Sequence, residues 1–412
     1  MSDVMPTDDV HAAGAFPGWR VVGASFACLA TTAGLGFYGL AVYLTVLSRE
    51  QGWSVGSISA AGTLFFFVSG IAGLVAARAM ATRDVRLVVL FGAVTGAIAL
   101  VLLGRVTQVW HVYAVYGLLS VGHTFAGLVP ATTVVTRWFH AKRSVALAAA
   151  STGLSVGGMV ITPFVKWLLD RRGVADAAVW LALLWLVGIV PATVLFLRGD
   201  PAAAGWQPDG ARASSGPAPV TASVSYADAL RTRFFLLVTI AYTFILAAQV
   251  GGIQQLVKLV EERSTASLAT IATTVLAGTS VVARLAGGQL AARVPMARFA
   301  AVMAALQGTS LVVIAVSTAS APLFGGIVLF GATVGNLLML HPLLIANEFG
   351  PADYARIFSR SQLVVFLGTA AGPYLLGALH DATDGYLVSY LVAGSLSITG
   401  ALVLPKRSRE PV

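Results

Sequence analysis

The chain has 412 residues, 57% of them hydrophobic and only 10% charged, with a mean hydropathy of +0.85. Soluble domains carry about 25% charged residues, so this composition excludes a water-soluble globular protein. The net charge of +9 follows the borders of apolar runs rather than forming a nucleic-acid surface, and the single cysteine, Cys28, excludes a disulfide framework.

Charged or turn-rich breaks leave twelve apolar runs near the ~20 residues that a spanning helix needs. Residues 1–17, polar and slightly acidic, lack the basic stretch and cleavage site of a signal peptide and are expected to form a cytoplasmic tail. The first predicted helix, 19–47, opens on Gly18-Trp19 and carries Thr31 and Tyr38 on one stripe. The second, 54–77, follows Gly52-Trp53-Ser54-Val55-Gly56-Ser57-Ile58-Ser59 and ends on Gly73-Leu74-Val75-Ala76-Ala77-Arg78. After a third at 86–104, the fourth, 110–136, spaces Tyr116, His123 and Pro130 by seven and leads into Arg137-Trp138-Phe139. The fifth and sixth cover 144–169 and 176–198.

Residues 199–231, rich in Ala, Pro, Ser and Gly, read as a cytoplasmic linker. The seventh helix, 232–258, places Tyr242 and Gln249 seven apart, with Gln254, Gln255 and Lys258 toward the outer end. The eighth, 266–291, sets Ser280, Arg284 and Gly288 at spacings of four and runs into Gly288-Gln289-Leu290-Ala291-Ala292-Arg293. The ninth is 298–317. In the tenth, 320–345, Asn336 and His341 are about 140° apart around the helix and do not share a face. The eleventh, 356–379, carries Gln362; the twelfth spans 384–404, and 406–412 form a cytoplasmic tail.

The run ending in Arg78 recurs 215 residues later, ending in Arg293. The 24-residue interval from Phe139 to Pro163 likewise recurs from Phe349 to Pro373. Chance likeness among Gly/Ala-rich helices is the plain alternative, and two segments agreeing in order weigh against it. The chain therefore reads as two repeated six-helix bundles, 18–198 and 232–405. With the N-terminus inside, 18 Lys and Arg fall on cytoplasmic segments and seven on the other side, which is the positive-inside pattern with both termini cytoplasmic. The one basic residue left over is Arg284.

Arg284 lies nine residues before Arg293, about 13 Å into the membrane at 1.5 Å per residue, too deep for easy snorkelling. An arginine at the bilayer centre costs roughly 2.5–3.5 kcal/mol on insertion scales. All 17 acidic residues fall in tails, loops or helix ends, so none is at hand to pair with it. Its donor fork suits a carboxylate ligand, with Ser280 on the same face; the structural alternative is bonding to backbone carbonyls alone. His123 is the candidate for proton coupling as well as ligand binding, against a neutral histidine bonded to a nearby hydroxyl or carbonyl. Tyr38, Tyr116, Gln249, Asn336 and Gln362 are expected to line the rest of a cavity, with helix packing the rival role for Tyr38 and a structural place for His341. One buried cation rather than two fits a monocarboxylate better than a dicarboxylate.

These features resemble the major facilitator superfamily over about residues 18–405: twelve helices in two repeated halves, a long central loop, and Gly-x-x-Ala-Ala-Arg after helices two and eight. Where the family's loop motif usually has an aspartate, this chain has Ala77 and Ala292. Gly18-Trp19, the Gly52–Ser59 segment and Arg137-Trp138-Phe139 are similar to the monocarboxylate-porter branch, with its oxalate/formate-exchanger relatives. Helix eight of that branch often reads Asp-x-x-Ala-Arg, the arginine being the partner of the substrate carboxylate. Here Ser280-Val281-Val282-Ala283-Arg284 keeps the arginine and lacks the aspartate. Phe37 and Gln362 stand where members of the branch often have lysines. The resemblance implies an all-α membrane protein of the major facilitator fold, with its substrate site between the halves near the bilayer midplane.

The expectation is a secondary transporter of the plasma (inner) membrane, monomeric, moving a small organic monocarboxylate with protons or in exchange for another anion. An exporter of amphipathic compounds and a membrane sensor that binds without transport are the alternatives. The sequence has no Gly-Lys-[Ser/Thr] phosphate loop and no His or Cys set at ligand spacing, so no enzyme activity, metal, cofactor or nucleic-acid partner is expected.

Overall fold

The computed structural model describes residues 16–53, 55–210 and 224–405. Most of the expected tails 1–17 and 406–412, linker residues 211–223 and Ser54 lie outside them. Among the described residues, 11 helical segments are apolar and long enough to cross a membrane. The longest, Arg143–Phe196, has 54 residues and is two spans, because Gly173 breaks it with φ 73° and ψ 171°. That positive φ strains any residue with a Cβ, so a single glycine turns the chain back. The loop expected between helices five and six is correspondingly shorter. Beside this turn Val174 N donates to Glu50 at 3.4 Å, and the Asp170 carboxylate takes Lys166 at 2.6 Å and Arg49 at 3.2 Å.

The twelve spans are α1 (Gly18–Gln51), α2 (Val55–Thr82), α3 (Val85–Leu103), α4 (Val109–Trp138), α5 (143–172), α6 (174–196), α7 (Arg233–Arg263), α8 (Ala266–Ala291), α9 (Met296–Val316), α10 (Ser320–Phe349), α11 (Tyr354–Thr383) and α12 (Tyr386–Val403). Side-chain caps begin several of them: Asp84 accepts from Arg86 N at 2.9 Å before α3, and Thr232 from Phe235 N at 3.1 Å before α7. Of the two repeated Gly-to-Arg runs, the second ends where expected and the first does not. Arg78 lies a full turn inside α2, since Ala79–Thr82 stay helical, whereas Val294-Pro295 stops α8 at Ala291.

Within the first six helices α1 packs on α5, and α4 on both α2 and α3; Trp185 of α6 donates to Ala93 O of α3 at 3.0 Å. In the last six, α7 packs on α11 and α12, α8 on α10, and α9 on α10 and α12. The two groups meet along α2 with α11 and α5 with α8. Two short π-helical segments face each other in the first group: Ala33–Phe37 within α1 and Gly157–Ile161 within α5. A π turn shifts the hydrogen-bond register and frees carbonyls, and such turns concentrate at functional sites. Here Thr162 Oγ1 donates to Gly34 O at 3.1 Å, Tyr43 OH to Leu35 O at 2.8 Å, and His123 Nδ1 to Thr32 O at 3.1 Å. Tyr38 follows directly, its ring against Gly158.

An even number of spans brings the start of α1, the end of α12 and the linker to one end of the molecule. At this terminus-bearing end the linker's Asp209 accepts from the backbone N–H groups of His140, Ala141 and Lys142 at 3.0, 2.7 and 3.0 Å.

Candidate functional site

Arg284 sits on α8, seven residues before its end, and its side chain is wholly buried at 0% exposure. Close packing against α10 positions it. A Cβ on Gly335 would overlap the Ser280 carbonyl and come within 3.1 Å of Arg284 Cβ, so only glycine lets the two helices approach this far. The guanidinium donates from Nε to Gly335 O at 2.8 Å, and from Nη1 to Ser151 O on α5, across the boundary between the two groups of helices. Nη2 has no partner. The plain alternative raised by the sequence, bonding to backbone carbonyls, therefore describes two of its three nitrogens. No Asp or Glu is buried among the described residues.

Three of the expected residues gather around it. Ser280, one turn away on α8, meets Ser155 Oγ of α5 at 3.4 Å. Tyr38 is half-buried and within electrostatic reach of the guanidinium. Asn336 occupies the space left by Gly287 on α8, donating to Ala283 O at 3.1 Å and Ala332 O at 2.9 Å while its Oδ1 has no partner. Ser151 and Ser155 were not singled out from the sequence; their spacing of four within the repeated Phe139-to-Pro163 segment is the signal that marks one face of α5.

His123 and Gln362 come together elsewhere, in a crevice of about 20 Å³ between α2, α4 and α11 that Ser69, Thr124 and Phe366 also line. That volume suffices for one water molecule. Gln362 Oε1 and Thr124 Oγ1 are buried there without partners. A carbonyl only accepts, so the bond to Thr32 O puts the proton on His123 Nδ1 and leaves Nε2 as the ring's acceptor. Phe37, Phe66 and Phe366 form an aromatic run between the helix groups, with centroids 5.7 and 6.2 Å apart.

The other two expected residues lie apart from these contacts. Tyr116 is buried with its hydroxyl donating to Leu40 O at 3.4 Å. Gln249 is buried on α7 with Oε1 unpartnered. His341 is indeed on a different face from Asn336: it bonds Ser361 Oγ at 2.9 Å and stacks on Tyr242 at 4.4 Å.

Among the described residues, three hydrogen bonds tie the two groups of helices together: Arg284 to Ser151 O, Ser155 to Ser280, and Arg143 Nη1 to Ala346 O at 3.2 Å. All three start from the first 13 residues of α5, so they span roughly 18 Å of depth from the terminus-bearing end.

Residues 26–317 match the sequence profile of the Major Facilitator Superfamily. Monocarboxylate transporter 13 of Rattus norvegicus is 27% identical over 326 residues, covering 77% of this chain and 72% of the relative. Monocarboxylate transporter 11 of Homo sapiens is 27% identical over 416 residues, covering 94% and 82%. Among solved structures, the Major Facilitator Superfamily transporter FucP in the outward conformation superposes with a TM-score of 0.70 at 16% identity, covering 94% of this chain and 98% of that one. Twelve helices in two groups of six, and a profile match over most of their length, make this chain a member of the Major Facilitator Superfamily of transporters.

Proposed function

We propose that the chain is a secondary transporter that moves a small organic monocarboxylate by alternating access, with Arg284 as the partner of the carboxylate. The observation that carries this reading is the unpartnered Nη2 of a guanidinium buried between the helix groups, with no buried acid among the described residues to neutralise it. A buried charge lacking a counter-charge is costly, and an incoming carboxylate removes that cost. Two relatives named as monocarboxylate transporters support the same ligand class.

The geometry also supports a coupling between occupancy and movement. Nη1 fastens α8 to α5 through Ser151 O. A carboxylate that takes the outer edge of the guanidinium competes with this carbonyl and loosens the fastening, so binding shifts the balance between the two rocking states. Tyr38 offers its hydroxyl to the same anion, and Ser280 and Asn336 close the polar rim; Tyr116, Gln249 and Gln362 extend the cavity in other states of the cycle. In a proton-coupled cycle His123 Nε2 or the acid itself carries the proton. Exchange of one anion for another needs neither.

The bias of basic residues supports a cytoplasmic place for the terminus-bearing end, and with it the reading of a plasma (inner) membrane protein. On that orientation the three ties along α5 close the cytoplasmic side, and substrate approaches from outside. The test is uptake of labelled monocarboxylates into proteoliposomes. Wild type accumulates them and Arg284→Lys, which keeps the charge and loses the fork, takes them up with a greatly raised KM. Unchanged uptake by the variant refutes the carboxylate role, and binding without uptake by wild type points to a sensor.

A further inference from the structure

A second charged site lies at the terminus-bearing end, away from Arg284 and on the first group of helices alone. The α2–α3 turn, the end of α4 and the chain just beyond α6 enclose an open cavity of about 570 Å³. Arg83, Asp84, Arg86, Arg137, Arg198 and Asp200 line it, four cations against two anions. Its volume is in the range of about 300–1,000 Å³ usual for small-molecule sites, but its lining is charged where such sites are mostly apolar.

Both carboxylates are engaged with backbone at segment starts, Asp84 with Arg86 N at 2.9 Å and Asp200 with Ala202 N at 3.0 Å. Two guanidinium groups are held in place by carbonyls: Arg86 Nε donates to Leu197 O at 2.6 Å and Arg137 Nη1 to Gly199 O at 3.4 Å. Each keeps further N–H groups for a ligand. The guanidinium groups of Arg83 and Arg198 have no hydrogen bond or ion pair among the described residues. A general surplus of cytoplasmic arginines accounts for the charge. It does not account for four of them converging on one concavity, two fixed by backbone and two free.

We infer that this cavity binds a phosphate group, either a phosphomonoester headgroup of the inner leaflet or a soluble phosphorylated metabolite. Arginine forks match phosphate oxygens two at a time, and a dianion answers the surplus of two positive charges. The cavity lies at the ends of α2, α4 and α6, where a headgroup and a dissolved phosphate would both be within reach.

The experiment uses the full-length protein in nanodiscs of phosphatidylcholine, with and without phosphatidic acid, and separately with glycerol 3-phosphate added to phosphatidylcholine discs. Thermal unfolding and native mass spectrometry of retained lipid are read for wild type, for Arg83→Gln/Arg198→Gln, and for Arg293→Gln/Arg298→Gln. The last pair removes the same charge from exposed arginines of the second group of helices. Phosphate-dependent stabilisation of wild type, with affinity reduced at least about tenfold in Arg83→Gln/Arg198→Gln and kept in the control pair, bears the inference out. Stabilisation by phosphatidic acid alone assigns the lipid source, and stabilisation by glycerol 3-phosphate alone the soluble one. Equal loss in both pairs means diffuse attraction and overturns the site, as does the absence of stabilisation by either phosphate.

Discussion

Replacing Gly335 by alanine tests whether α10 packing holds the arginine in place. The added Cβ would overlap the Ser280 carbonyl and stand 3.0 Å from Ser280 Oγ and 3.1 Å from Arg284 Cβ. Backbone cannot swing aside as a side-chain tip can, so α8 and α10 must part by about 1 Å, an overpacking cost of about 1–3 kcal/mol. That separation stretches the 2.8 Å bond from Arg284 Nε to Gly335 O past hydrogen-bond range, and bonds to charged groups contribute about 1.5–3 kcal/mol. Against these stands a gain of about 1 kcal/mol from alanine's higher helix propensity. The net expectation is a loss of about 2–4 kcal/mol in denaturant unfolding, with monocarboxylate affinity falling alongside. Gly278→Ala on α8, where nothing lies within 4 Å of the new Cβ, isolates the propensity gain and should unfold no earlier than wild type. A Gly335→Ala protein as stable and as competent as wild type, or one no worse than Gly278→Ala, refutes the packing argument.

Other perturbations separate structure from transport. His123→Asn keeps a donor where His123 Nδ1 meets Thr32 O and removes the Nε2 acceptor, so folding is retained and proton-driven uptake is lost; His123→Ala also removes the bond to Thr32 O and costs about 0.5–1.5 kcal/mol in unfolding. Asp209→Asn replaces a charged cap with a neutral one across three backbone donors, and faster hydrogen exchange at residues 140–142 should report a loss of about 1 kcal/mol or more. Ser155→Ala breaks only a long 3.4 Å bond to Ser280 and should change stability by no more than about 1 kcal/mol, leaving uptake near wild type.

What the sequence discloses and conceals follows from the range of the interactions. Spans are local: apolar length and charged borders mark all twelve, and the displaced end of α2 traces to local residues, helix-forming Ala79–Ala81. Arg284 is legible because a lone buried cation violates the composition of its own helix. The π turns of α1 and α5 are hidden, because Ala33-Gly34-Leu35-Gly36 and Gly157-Gly158 read equally as close-packing glycines. Their consequences are hidden too: His123 is anchored on the Thr32 carbonyl, at the start of the π turn. Ser151 contributes through its backbone oxygen, which no side-chain pattern reports. The separation of His123 and Gln362 from the Arg284 cluster depends on which helices meet, α2 with α11 and α5 with α8, and a stripe along one helix does not carry that information.

The most direct test of the central claim is ligand-dependent thermal stabilisation of the purified protein and of Arg284→Gln. The panel contains monocarboxylates, dicarboxylates, sugars and hydrophobic cations. A ligand at about 100 times its Kd stabilises the folded state by roughly 2.7 kcal/mol. The account predicts shifts confined to monocarboxylates in wild type and abolished in Arg284→Gln. Equal shifts in both proteins, or stabilisation mainly by neutral or cationic compounds, would contradict it.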